Sequence, residues 1–216
     1  GEEGELISPV DFIPLAEETG VIIPLGKNVL QQACFDAKSL IDQGANIIVS
    51  VNISAVQFRE ESFLQMVQES LQVSGLKSCF LELEITEGVL AKNIQRTQQL
   101  LSSLRALGVR IALDDFGTGY SSLTYLKSFP LDVLKIDQGF VRDMLVDKSD
   151  TIIVDAIVRI SQAFELELVA EGVETLEQVS VLQSLGCRIM QGYIYSKPIA
   201  FEEFVALLHS GKLGFK

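Results

Sequence analysis

Acids and amides in this chain recur at the ends of apolar runs, where they bring no folding advantage unless they meet one another. They are Asn52 in Val51-Asn52-Ile53-Ser54, Glu84 and Glu87 in Glu84-Ile85-Thr86-Glu87, and the pair Asp114-Asp115. Lys135 and Asp137 follow in Lys135-Ile136-Asp137, then Glu171 in Ala170-Glu171-Gly172 and Gln191 in Met190-Gln191-Gly192-Tyr193. Four or five carboxylates drawn together raise each other's pKa values, and a cation among them removes that cost. Carboxylate and amide oxygens with no His or Cys form a hard donor set, which suits Mg2+ or Mn2+ rather than a dedicated zinc site. Each residue alone has a plainer reading: a surface acid at a strand–loop junction, a turn former in Asn52, a first-turn helix charge in Glu87. What favours a shared site is the repetition at successive strand ends.

Lys135 lies between Leu134 and Ile136. An unpaired ammonium in such a strand is expensive, so it calls for a carboxylate or phosphate beside it, unless the stem runs along the surface with its head in water. The stretch from Asp115 to Leu123, with Gly117 and Gly119, joins a strand to a helix and is expected to approach a ligand or to move as a lid. It lacks a third spaced glycine and follows two aspartates, which argues against a dinucleotide-cofactor loop. The single histidine, His209, lies in a C-terminal helical stretch far from the strand ends, which excludes a His-based triad or a His-ligated zinc site.

Six short apolar or β-branched runs would position these groups: residues 46–53, 80–86, 109–114, 133–137, 167–171 and 188–195. Amphipathic helical patterns separate them over 61–73, 93–107, 151–163 and 176–185, and two more, 9–18 and 23–43, precede the first run. Ser8-Pro9 reads as an N-cap and first-turn proline, and Gly75, Gly108 and Gly186 as left-handed helix ends. Repeated βα units imply a parallel sheet whose strand C-termini open on one face. Periodicity alone leaves two architectures open, a doubly wound sheet and the last three-quarters of an eight-stranded barrel.

At 216 residues with 48% hydrophobic and 21% charged residues, the chain reads as one folded domain over 1–216. Seventeen basic against 29 acidic residues give a formal charge of −12, which argues against binding a DNA or RNA duplex. An acidic protein still takes a small anion where metal ions reverse the local field. Cys34, Cys79 and Cys187 form no Cys-x-x-Cys pair and read as reduced core thiols. Phe12, Phe35, Phe63 and Phe201 read as core or staple residues. No run reaches the roughly 18 apolar residues of a membrane span, and the acidic start is no signal peptide. A cytoplasmic domain is expected, in a parent protein that other segments could tether to a membrane.

The chain resembles EAL domains, the cyclic di-GMP phosphodiesterases of bacterial signalling. The resemblance runs from Ile7-Ser8-Pro9 and Phe12-Ile13-Pro14-Leu15-Ala16-Glu17 to Gln191-Gly192-Tyr193 and Lys197-Pro198. Its most specific element is Asp114-Asp115-Phe116-Gly117-Thr118-Gly119-Tyr120-Ser121-Ser122-Leu123. It implies a TIM-like (β/α)8 barrel with an antiparallel first strand, two divalent ions (Mg2+ or Mn2+), and hydrolysis of cyclic di-GMP to linear pGpG. By position, Asn52, Glu84 and Asp114 resemble ligands of one metal, with Asp114 and Asp115 reaching the second. Glu171 resembles a second-metal ligand or the base for the attacking water, and Lys135 a group that orients that water and meets phosphate charge. Glu87 would position the Asp-Phe-Gly loop, and Gln191 and Asp137 would lie near the nucleotide. Gln138-Gly139 stands where many relatives carry Arg-Ser. The Glu-Ala-Leu signature, whose glutamate is a first-metal ligand in the family, belongs before Ile7. The barrel is therefore expected without its first one or two strands, leaving two edges that a partner chain or swapped segment could fill. The family also implies sensor or cyclase neighbours in the parent protein and pairing into a homodimer. The competing expectation is a catalytically inactive module that binds cyclic di-GMP or a protein partner.

Overall fold

The computed structural model describes residues 7–90, 93–118 and 123–210. Two helices open it, α1 (Pro9–Thr19) and α2 (Ile22–Asp42). Pro9 supplies the fixed φ of a first turn, and Gly20, at φ 76°, ends α1 in the left-handed conformation. Ser8 stands at the N-cap position, but its side chain makes no capping bond.

Thereafter strands and helices alternate: β1 (Val49–Asn52), α3 (Ala55–Arg59), α4 (Phe63–Ser74), β2 (Leu81–Thr86), α5 (Glu87–Leu90), α6 (Ile94–Ala106) and β3 (Arg110–Phe116). Next come α7 (Leu123–Ser128), β4 (Val133–Ile136), α8 (Gln138–Asp143), α9 (Lys148–Ala163), β5 (Glu167–Ala170), α10 (Leu176–Leu185), β6 (Ile189–Met190) and α11 (Phe201–His209). Gly75 and Gly186 end α4 and α10 with left-handed backbone, and Gly108 takes φ 90° one residue beyond the cap of α6.

All neighbouring strands are parallel, in the order β1-β2-β3-β4-β5-β6. That order decides between the two architectures left open by periodicity. A doubly wound sheet reverses its strand order at a switch point, and this sheet never does, so it follows the course of a barrel wall. The last helix supports the same curvature: Leu208 and His209 of α11 and Leu40 of α2 line a shared cavity of about 520 Å3 with residues 43–47, the stretch leading into β1.

The pleat sorts side chains onto two faces. Val51, Leu83, Ile85, Ile111, Leu113, Leu134 and Ile136 are buried in one continuous core together with helix residues such as Leu30, Phe63, Leu101 and Val154. The register places Ser50, Asn52, Glu82, Glu84, Arg110 and Lys135 on the opposite face. β3 breaks the alternation. Leu113 pairs with Leu134 but Phe116 pairs with Ile136, so β3 carries one extra residue, and within it Asp115 takes φ 54°. This bulge keeps Leu113 and Phe116 in the core although they are three apart, and it breaks the up-and-down alternation at the two adjacent aspartates.

The structure departs from the sequence reading in three places. The expected run over 188–195 yields a strand of only two residues, because the chain turns sharply after it: Val173 N donates to Gln191 O, Ile194 N to Val173 O and Tyr195 N to Gly192 O. A Cβ on Gly192 would sit inside the Val173 backbone, so the turn needs glycine. Phe35 is 44% exposed rather than core, unlike the buried Phe63. Cys34 and Cys187 are buried thiols, their pKa values raised to about 11 chiefly by desolvation, whereas Cys79 is exposed. Of the expected lid loop, residues 119–122 lie outside the described residues. No helix among the described residues is long and apolar enough to cross a membrane.

Candidate metal centre

The C-terminal ends of β2, β3, β4 and β5 bring one ammonium and three carboxylates together. Lys135 Nζ lies 2.8 Å from Glu84 Oε2, 2.5 Å from Glu171 Oε1 and 3.5 Å from Asp114 Oδ1. Oxygens of Glu84, Asp114 and Glu171 all fall within 4.8 Å of one another, and this is the only such cluster of three among the described residues. Glu84, Asp114 and Lys135 are buried and Glu171 half-buried. The ammonium that sequence reasoning left without a partner thus has three.

Charge bookkeeping shows what the cluster lacks. One lysine cannot balance three carboxylates, and the titration directions register the deficit. Burial raises the pKa of Glu84 despite the attraction of Lys135, and the Asp114 and Glu82 charges push it further up. Burial likewise lifts Glu171, to about 7, with Lys135 opposing and Asp114 and Glu84 adding to the rise. Burial by itself lowers the pKa of Lys135, but Glu84, Glu171 and Asp114 together outweigh it and raise the pKa above its ordinary value. A compact, oxygen-only, under-compensated pocket of this kind fits a hard divalent cation.

The remaining sequence candidates fall around this centre at different ranges. Asn52 ends β1 as the register partner of Glu84, and Ile53 N donates to Glu84 O at 2.9 Å, which ties the two strand ends together; the Asn52 side chain is exposed at the rim. Asp115, on the bulge, has its pKa raised by burial first and then by the Asp114 and Asp137 carboxylates. Asp137 caps α8, accepting from Gly139 N at 2.8 Å. Glu87 Oε1 accepts from Gly117 N at 2.9 Å, so the first residue after β2 holds the turn after β3. Gln191 contributes its backbone to the turn at Val173, and it lines a cavity of about 240 Å3 with Gln138, Glu171, Gly172, Glu174 and Tyr193.

Sequence reasoning missed a second charged row on the same face, one layer closer to the strand starts. Ser50 Oγ donates to Glu82 Oε1 at 2.9 Å, Arg110 Nε meets Glu82 Oε2 at 3.0 Å, and Arg110 also meets Glu167 Oε1 at 2.6 Å. Its signal was present in Leu81-Glu82-Leu83-Glu84, where acids alternate with leucines and Glu82 shares the face of Glu84.

Comparison with known proteins gives this geometry a family. The chain is 45% identical over 204 residues to the cyclic di-GMP phosphodiesterase NbdA of Pseudomonas aeruginosa, covering 93% of this chain and 26% of that protein. It is 42% identical over 202 residues to the bifunctional diguanylate cyclase/cyclic di-GMP phosphodiesterase MucR of the same organism, covering 93% of this chain and 30% of that protein. It thus spans between a quarter and a third of the length of these relatives. Among solved structures, the PaMucR phosphodiesterase in complex with c-di-GMP superposes with a TM-score of 0.92 at 40% identity, over 94% of this chain and 83% of that one. The EAL enzyme Bd1971 bound to cAMP and cyclic di-GMP gives 0.92 at 33% identity, over 96% of this chain and 57% of that one. The family model described as EAL domain matches residues 1–198, and the chain belongs to the EAL domain family.

Proposed function

We propose that this chain is a cyclic di-GMP phosphodiesterase domain that hydrolyses one phosphodiester to give linear pGpG, with two divalent ions, Mg2+ or Mn2+, as cofactors. The observation that carries the reading is the convergence of Glu84, Asp114 and Glu171 around Lys135 at the mouth of the sheet. Asn52, Glu84 and Asp114 would hold one ion, and Asp114, Asp115 and Glu171 the other. Bound there, the ions would neutralise the phosphodiester and favour deprotonation of the attacking water.

The protein's own groups account for the rest. Glu171, a half-buried carboxylate 2.5 Å from Lys135 Nζ, is suited to take a proton from water as its oxygen bonds to phosphorus, while the bond to the 3′ oxygen breaks and that oxygen takes up a proton from solvent. Lys135 stays protonated and offers a fixed positive charge to the phosphate oxygens. Glu87 would act by holding the Asp115–Gly117 turn through Gly117 N. The 240 Å3 cavity beside Glu171, lined by Gln191, offers polar contacts to a nucleotide, and Asp137, the cap of α8, directly precedes Gln138 of its lining and would lie near the nucleotide. We also propose that it works within a longer signalling protein with sensor or cyclase domains, since it matches a quarter to a third of its relatives' length, and, as the family resemblance implies, that its catalytic part is cytoplasmic and pairs with a second copy.

Incubation with cyclic di-GMP and Mg2+ or Mn2+ should yield pGpG, chelation should stop it, and Glu171→Ala should lower turnover at least about a hundredfold without unfolding the protein. Calorimetric binding of cyclic di-GMP by folded, metal-loaded protein without any product would contradict the proposal and point to a receptor module.

A further inference from the structure

Glu171 sits on a five-residue connection, 171–175, between β5 and α10, and its usefulness depends on where that connection lies. The near end is fixed by backbone: Glu171 N donates to Ile136 O at 3.2 Å, and Val173 N to Gln191 O at 3.0 Å. The far end is fixed by a side chain. Gln178, 5% exposed in the first turn of α10, accepts at Oε1 from Glu174 N at 2.8 Å and Thr175 N at 2.9 Å. Thr175 Oγ1 accepts in return from Gln178 N at 3.2 Å, completing a capping box.

The box needs nothing more, yet Gln178 Nε2 also donates to the Val141 carbonyl at 3.1 Å, 37 residues away in α8. That bond couples two strand ends. α8 follows directly from β4, which carries Lys135, and is capped by Asp137; Lys135 in turn contacts Glu171 at 2.5 Å. The connection also lies flat on α8: Gly172 takes φ 66°, and a Cβ there would come within 2.6 Å of Gln138 Cβ. Such a buried amide, satisfied on both sides, has one arrangement that keeps all its bonds.

We propose that Gln178 is a positioning residue for the metal centre, holding connection 171–175 against α8 so that Glu171 and the β4 end converge on one cation site. It acts through Glu171 and touches no reacting atom. The inference rests on the functional reading of this site, but a readout on the nucleotide-free protein separates the two.

Three variants of the full chain test it. Gln178→Glu keeps an acceptor for Glu174 N and Thr175 N but sets a carboxylate oxygen against the Val141 carbonyl. Gln178→Met keeps the length without polar atoms and decides the matter if the buried carboxylate prevents folding. Thr175→Ala removes the cap from Gln178 N and leaves the bond to α8 intact. Mn2+ affinity measured by calorimetry should fall about 10- to 100-fold in the Gln178 variants, the range seen for residues that orient metal ligands, and stay within about twofold in Thr175→Ala. In turnover, the Gln178 variants should lose kcat with little change in KM. Unchanged Mn2+ affinity in a folded Gln178 variant would overturn the inference, as would an equal loss in Thr175→Ala, which would trace the effect to the helix cap. If the wild type turns over no cyclic di-GMP, the functional reading fails while the Mn2+ comparison still decides this one.

Discussion

Glu171 shows how far a single side chain depends on its surroundings. Its carboxyl moves from an ordinary 4.5 to about 7 because burial outweighs the attraction of Lys135. The folded, metal-free protein therefore holds the Glu171 proton more tightly than the unfolded chain does. This contributes stability that is fully present below about pH 4.5 and lost as pH rises through 7, on the order of 3 kcal/mol at most. A divalent ion reverses the sign, since it favours the carboxylate. Chelated protein should thus lose melting temperature between pH 5 and 7.5, and protein in excess Mg2+ should not; parallel curves with and without Mg2+ would contradict this account. The residues of the centre were readable in sequence because each breaks an apolar strand at its end. Their contacts were not: Lys135 called for a partner, but only the fold shows that it has three.

At the scale of elements, the ion pairs one layer below the centre carry a stability prediction. Arg110 bridges Glu82 and Glu167, and Glu82 is 7% exposed. Arg110→Ala leaves that carboxylate buried without a charged partner, held only by the Ser50 hydroxyl, which should cost about 2–3 kcal/mol, below the fully buried figure because Arg110 keeps some exposure. Adding Glu82→Gln should recover part of the loss in denaturant titrations, and no recovery would argue against the pairing. Gly192→Ala drives a methyl into the Val173 backbone and should lower stability by a further about 1–3 kcal/mol while loosening the turn beside Glu171. The strands β2 to β5 were legible within a few residues because buried parallel strands are nearly continuous apolar runs. Helices α3, α5, α7 and α8, of four to six residues, are too short to show a period. The capping boxes Ser54-x-x-Gln57 and Thr175-x-x-Gln178 were available in the spacing, but nothing in sequence says that Gln178 also reaches α8, or that Gln57 fills the space a Cβ on Gly26 would need.

For the molecule as a whole, the unbroken strand order and the surplus of negative charge belong to one design. Winding the chain in one direction delivers successive strand ends to a common mouth, and the acids on those ends gather there around one lysine, in an arrangement that could hold a divalent cation. Periodicity could not choose between a barrel wall and an open sheet, because both use the same βα units; the order of the strands did. Excess Mg2+ should raise the melting temperature by more than sodium chloride of equal ionic strength, since a site filled at a hundred times its dissociation constant adds about 2.7 kcal/mol and general screening does not. The most direct test is anomalous diffraction from crystals soaked in Mn2+. The structure predicts manganese density bounded by Glu84, Asp114 and Glu171 and lost on chelation. Full Mn2+ soaking that leaves those three carboxylates on Lys135 alone, with no anomalous peak between them, would contradict the assignment of this site as a metal centre.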